Sequence, residues 1–138
     1  MSPLLRSAST RTPSPAVVTT PDGRLVADRC LVADRAWPRM RGLLGRRSLE
    51  AGEGLLIEPA GSIHMLGMRF AIDAAFLDRG RRVLRVAEGL APWRMAACRG
   101  ARSVLELPAG TLARTGLAAG DELRFAPARP AAGGPGKA

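Results

Sequence analysis

The fold of this chain is decided by residues 61–88, which have the sequence GSIHMLGMRFAIDAAFLDRGRRVLRVAE. Between Phe70 and Leu77 the side chains alternate, so that aromatic and aliphatic residues share one face of a strand. Asp78, Arg79 and Gly80 form a short loop, after which residues 82–87 return as a second strand. The stretch therefore predicts a β-hairpin with Gly80 in the positive-φ conformation.

Short apolar runs separated by glycine and proline turns continue this pattern along the chain. Further strands are predicted at residues 55–57, 103–107 and 122–126. The period changes between Trp37 and Gly45, where apolar residues at helical spacing predict one short helix. Residues 111–115 predict one helical turn. The pattern is typical of a mainly β domain, either a compact antiparallel sandwich or a distorted barrel.

The length of 138 residues allows one domain with a self-sufficient hydrophobic core. Residues 17–126 are predicted to form it, and the Ser-, Pro- and Gly-rich residues 1–16 and 127–138 are predicted to be disordered tails. No apolar run has the length of a membrane span or of a signal peptide core. With only two widely spaced cysteines, Cys30 and Cys98, the composition favours a cytoplasmic protein with reduced thiols.

The formal net charge of +9 invites an interpretation as a nucleic-acid-binding protein. However, Lys137 is the only lysine among 21 basic residues, and the arginines are spread along the chain rather than clustered on one element. This distribution indicates a coding bias towards arginine. Weak polyanion binding through surface arginines therefore stays a second alternative, and nucleic acid is not the favoured partner.

Several short motifs together resemble one family. They are residues 41–46 (RGLLGR), 54–57 (GLLI), 62–64 (SIH), 68–73 (MRFAID), 76–78 (FLD), 92–94 (PWR), 104–110 (VLELPAG) and 116–121 (GLAAGD). Their order and spacing resemble the uncharacterised bacterial and archaeal family called domain of unknown function 192, over about residues 26–125. The resemblance implies a compact, β-rich single domain and no known activity.

The chain departs from the family pattern at two positions. Members of the family often have proline where Ala71 stands and cysteine where Ala60 stands, four residues before His64. The resemblance therefore implies no Cys–His metal or redox pair in this chain.

Asp73 is the residue that most needs a physical explanation. It lies among alanines on one face of a predicted strand, where aspartate is disfavoured. A buried carboxylate must be paired or hydrogen-bonded. One interpretation is structural, either a backbone anchor or an ion pair; the candidate partners are Arg41, Arg69 and Arg94. The other interpretation is a binding carboxylate beside His64.

His64 is the only histidine, a residue type that binds metals or moves protons near neutral pH. A metal site needs three or four ligands, and no cluster of Cys, His or carboxylates supplies them. No metal and no cofactor is predicted, and a structural role for His64, hydrogen-bonded between strands, is favoured. Glu106 alternates with leucines in a strand and could face water. Trp93 follows Pro92 and marks either an exposed binding loop or a side chain packed at the edge of the core.

The chain contains no nucleophile elbow, P-loop, dinucleotide fingerprint or histidine-rich metal motif. We therefore predict a small non-catalytic binding or accessory domain with a polar cluster around His64 and Asp73, and an unknown protein or small ligand as its partner. Its candidate binding residues are His64, Arg69, Asp73, Trp93, Arg94 and Glu106. The alternative is an enzyme of unassigned class that uses His64, Asp73 and Glu106 as acid–base groups, which requires the three side chains to converge.

Overall fold

The computed structural model describes residues 15–33, 48–65 and 68–128 of the chain. These residues form nine strands and one short helix. The strands are β1 (Ala16–Thr19), β2 (Leu25–Ala33), β3 (Glu53–Ile57), β4 (Ser62–His64), β5 (Ile72–Leu77), β6 (Val83–Leu90), β7 (Met95–Ala97), β8 (Ser103–Pro108) and β9 (Arg124–Pro127). The helix α1 spans Thr111–Thr115.

Seven strands form one sheet in the order β6-β5-β8-β3-β2-β1-β9, and β4 pairs with β7 in a separate two-stranded sheet. All neighbours are antiparallel except β2 and β3, which run parallel. Arg82 and Glu122, which precede β6 and β9, form an isolated bridge, and the described strands do not close into a barrel. The predicted mainly β, sandwich-like architecture is confirmed, with one parallel pair that the prediction lacked.

The predicted hairpin is confirmed as β5 and β6, but its loop differs from the prediction. The positive φ of 69° falls on Arg81, so the prediction of Gly80 was wrong. The reason is the Asp78 carboxylate, which accepts hydrogen bonds from the backbone N–H groups of Gly80 at 2.8 Å and Arg82 at 2.9 Å and so sets the turn geometry. The Arg81 guanidinium is itself held by Glu58 at 3.1 Å.

Two hydrophobic clusters cover the two faces of the large sheet, as the alternation of strand side chains requires. The α1-side cluster contains Leu56, Leu105 and Leu107 of the strands together with Leu112 of α1. The second cluster contains the strand residues that alternate with these and point to the other face, such as Val104. It is covered by β4 and β7. The small sheet therefore packs against one face of the large sheet.

The helical turn predicted at residues 111–115 is confirmed as α1, which ends at Gly116 with a φ of 73°. The helix predicted at residues 37–45 lies outside the described residues, as do most of the two predicted tails. Within the described ranges, no helix combines the length and the apolarity needed to cross a membrane.

Candidate functional site

Asp73 lies in the middle of β5 with its side chain fully buried on the α1 side of the sheet. One carboxylate oxygen accepts a hydrogen bond from the N–H of Gly89 at 2.8 Å, and the other accepts from Gly110 at 3.0 Å and Leu112 at 2.8 Å. No described arginine contacts it, and Arg41 lies outside the described residues. This geometry matches the backbone-anchor interpretation, because one carboxylate ties β6 and the start of α1 to β5.

Glu106 lies on the opposite face of the sheet from Asp73, since its cross-strand neighbours are Leu55 and Ala74 while Asp73 faces Leu107. The residue is only 5% exposed, so the expectation that it faces water was wrong. Its carboxyl makes no hydrogen bond or ion pair with another described residue. Burial without compensation raises the pKa of Glu106 to about 7, compared with an ordinary value of 4.5.

His64 is exposed at the end of β4, opposite Met95 of β7. Its ring forms no hydrogen bond with a described side chain or backbone group, so the favoured role between strands is not what the structure contains. The three acid–base candidates do not converge, because Asp73 and Glu106 face opposite sides of the large sheet and His64 points out of the small one. Among the described residues, no cluster of three or more His, Cys, Asp or Glu could hold a metal ion.

The outer face of the small sheet carries a different group of side chains. Ile63 and Ala96 point inwards to the second cluster, whereas their neighbours along each strand point to solvent. With the loop before β7, the exposed side chains form what we call the β4–β7 patch: Ser62, His64, Trp93, Arg94, Met95 and Ala97. The structure thus brings together three of the candidate binding residues, His64, Trp93 and Arg94.

Trp93 and Met95 are the most exposed large hydrophobic side chains of the described residues, at 67% and 70%. The backbone of Trp93 has a φ of 70°, a left-handed conformation that costs a residue with a bulky side chain about 1–2 kcal/mol. Hydrogen bonds hold it there: Trp93 N–H donates to the carbonyl of Met65 at 2.8 Å, and Met65 N–H donates to that of Arg94 at 2.7 Å. The backbone of the tryptophan is therefore fixed, and its side chain is exposed.

Arg69 is exposed in the connection between β4 and β5 and forms no ion pair in the described part of the chain. Met95 was missed by sequence reasoning. The signal was weak, because β7 is three residues long and its alternation of exposed, buried and exposed positions is too short to recognise.

Comparison with known proteins gives a consistent family. Residues 17–125 match DUF192, described as "Uncharacterized ACR". The chain is 29% identical over 106 residues to a UPF0127 protein of Thermococcus sibiricus, across 73% of this chain and 68% of that protein. A crystal structure of a protein of unknown function from Novosphingobium aromaticivorans has a TM-score of 0.67 and 26% identity, over 80% of this chain and 83% of that one.

A second solved structure, from Sinorhizobium meliloti, has a TM-score of 0.69 with 24% identity, and the match covers 81% of this chain and 92% of that one. At this identity the likeness concerns the fold alone. Because the family match spans most of the sequence and includes every strand that carries the candidate residues, the chain belongs to the DUF192 family, as the resemblance predicted.

Proposed function

We propose that this protein is a small non-catalytic binding domain, and that its partner contacts the β4–β7 patch. The observation that carries the proposal is Trp93, a large apolar side chain that is exposed on a left-handed backbone. Strained residues persist where surrounding structure imposes them, and they concentrate at functional sites. The binding surface is therefore assigned to the His64 end of the polar cluster, without Asp73.

The residue types of the patch support a contact surface. Tryptophan, methionine and arginine are enriched in protein interfaces, and tryptophan and arginine are frequent among residues that dominate binding energy. Trp93, Arg94 and Met95 are consecutive in the chain and exposed together. Since Ile63 and Ala96 fasten the small sheet to the second cluster, little ordering is needed on binding.

The enzyme alternative has less support. Acid–base catalysis requires the acting groups within hydrogen-bond reach of one reacting centre. Both oxygens of Asp73 already accept backbone hydrogen bonds, and Glu106 lies across the sheet from it. His64 then has no described carboxylate partner with which to form an acid–base pair.

The polyanion alternative also has less support from the fold as a whole. The described residues include twelve arginines and eleven aspartates or glutamates, so their formal net charge is +1. Four of these arginines, Arg24, Arg29, Arg81 and Arg82, are in ion pairs. Most of the +9 charge of the chain belongs to residues outside the described ranges.

The test uses the full chain with a photo-crosslinking amino acid in place of Ser62, in lysate of the cells that produce it. A patch variant carries Trp93→Ala and Met95→Ser, and the matched control carries Leu25→Ser, which changes an apolar side chain that is 48% exposed on β2. We expect one crosslinked partner to be lost from the patch variant and kept by the control. Equal capture by both folded variants, with folding verified by circular dichroism, would refute the assignment.

A further inference from the structure

The chain segments that build and surround the β4–β7 patch contain arginine and no acidic residue. Residues 59–72 and 89–105 include neither Asp nor Glu. They contain four arginines, all of them exposed: Arg69, Arg94, Arg99 and Arg102. This is a local excess of positive charge, because the rest of the described fold has eight arginines and eleven acidic residues, a formal net charge of −3.

Among the described residues, ion pairs are found only at arginines outside these segments. Four of the eight arginines there are paired, as in Arg81–Glu58 at 3.1 Å and Arg82–Glu122 at 2.7 Å. The four arginines around the patch form no ion pair with any described residue. Their positive charge is therefore not neutralised by a described carboxylate, and Arg94 lies in the chain between Trp93 and Met95, the two most exposed large apolar side chains of the described fold.

We infer that the patch binds an acidic, extended polypeptide segment that also carries apolar side chains; this inference rests on the proposed function. Arginine guanidinium groups bind carboxylates with paired hydrogen bonds, which makes them suited to such a segment. Trp93 and Met95 supply the apolar contact between the charged positions. Strands of three residues extend about 10 Å, a length that suits a short segment better than a folded domain.

A polypeptide fits these side chains better than a nucleic acid does. Single-stranded nucleic acids bind through successive aromatic side chains on which bases stack. The patch offers one tryptophan, and its other large apolar group is Met95, a flexible thioether that adapts to irregular apolar side chains. Nucleic acid is therefore a competing outcome of the test.

The experiment selects displayed random 12-residue peptides on the immobilised full chain, with removal of peptides that also bind the Trp93→Ala, Met95→Ser variant. We expect the selected peptides to be enriched in Asp and Glu together with aromatic or aliphatic residues. Binding of the selected peptides should weaken at least about tenfold between low and moderate salt, because charges at the surface are screened.

Charge reversal provides the matched comparison. Arg94→Glu with Arg99→Glu should weaken binding of the selected peptides by at least about tenfold, since exposed carboxylates then face them. Arg114→Glu with Arg124→Glu, at exposed arginines of α1 and β9, is the control with the same change of net charge and should change the affinity less than about twofold. Equal losses from both variants would mean that net charge, and not the patch, controls binding.

The outcomes separate this inference from the proposed function. Selected peptides that are neutral or basic would overturn the preference for acidic segments and leave the binding surface intact. A thymidine oligonucleotide that displaces the selected peptides and binds more tightly than they do would replace the polypeptide by a nucleic acid. If no patch-dependent peptide is recovered, the acidic preference is overturned, and crosslinked capture at the patch then decides the proposed function alone.

Discussion

Replacement of Asp73 tests whether this residue holds the fold together or binds a partner. The carboxylate accepts three backbone hydrogen bonds, from Gly89, Gly110 and Leu112. In Asp73→Asn, one oxygen becomes an NH₂ group, so at least one of these N–H groups faces a donor. A buried donor without a partner costs about 1–3 kcal/mol, and hydrogen bonds to a charged group are worth about 1.5–3 kcal/mol. We expect Asp73→Asn to lower the free energy of unfolding by about 2–4 kcal/mol.

Asp73→Ala removes all three bonds and should cost about 4–6 kcal/mol, a large share of the about 5–15 kcal/mol that stabilises a typical domain. The assay is urea unfolding followed by circular dichroism, with hydrogen exchange at Leu112 as a local readout. Glu122→Gln, which removes an exposed ion pair with Arg82, is the control and should cost at most about 1 kcal/mol. An Asp73→Asn protein as stable as that control, yet unable to capture a partner, would show that Asp73 is a binding carboxylate.

Three further predictions follow from buried or strained groups. Because burial raises the pKa of Glu106 to about 7, the stability that its protonated form contributes is fully present below about pH 4.5 and is lost as pH rises through 7. The free energy of unfolding, measured with urea from pH 4 to 9, should fall by roughly 3 kcal/mol less in Glu106→Gln, and parallel profiles would contradict this. Trp93→Gly should be about 1 kcal/mol more stable than Trp93→Ala, since only glycine adopts a φ of 70° without strain. If the alanine variant is the more stable of the two, the strain is absent. Burial raises the pKa of Cys30 to about 12, so its thiol should not react in the folded protein at pH 8. Iodoacetamide should then modify the half-buried Cys98 and spare Cys30, and equal modification of both would contradict this.

Alternation along the chain was sufficient to predict the hairpin, because the period of a strand is a local property. It also identified Asp73 as a residue that requires partners. It could not name them, since Gly89 and Leu112 are 16 and 39 residues away. Gly89 meets Asp73 through the pairing of β6 with β5, and Leu112 meets it only when α1 packs over the sheet. A single sequence states that a buried carboxylate must be satisfied and leaves open which backbone groups satisfy it.

Other features of the fold could not be predicted from the sequence, because they depend on contacts between distant parts of the chain or on unusual backbone conformations. The same strand β3 pairs in parallel with β2 and antiparallel with β8, so its apolar run could not indicate either orientation. The burial of Glu106 depends on the small sheet and on neighbouring strands rather than on its leucine neighbours. Left-handed backbone is expected at glycine, and therefore neither Arg81 nor Trp93 was predicted to adopt it.

The proposed binding at the β4–β7 patch would offset an energetic cost that Trp93 carries in the free protein. In the free protein the residue carries a backbone strain of about 1–2 kcal/mol, and two thirds of its side chain remains in water. A partner that covers the exposed part, about 150 Å² of apolar surface, would contribute roughly 4 kcal/mol. That gain exceeds the strain, whereas the contacts of the buried third are worth about 2 kcal/mol and only balance it. Stability alone therefore gives no advantage to tryptophan over glycine at this position, whereas binding of the proposed partner would.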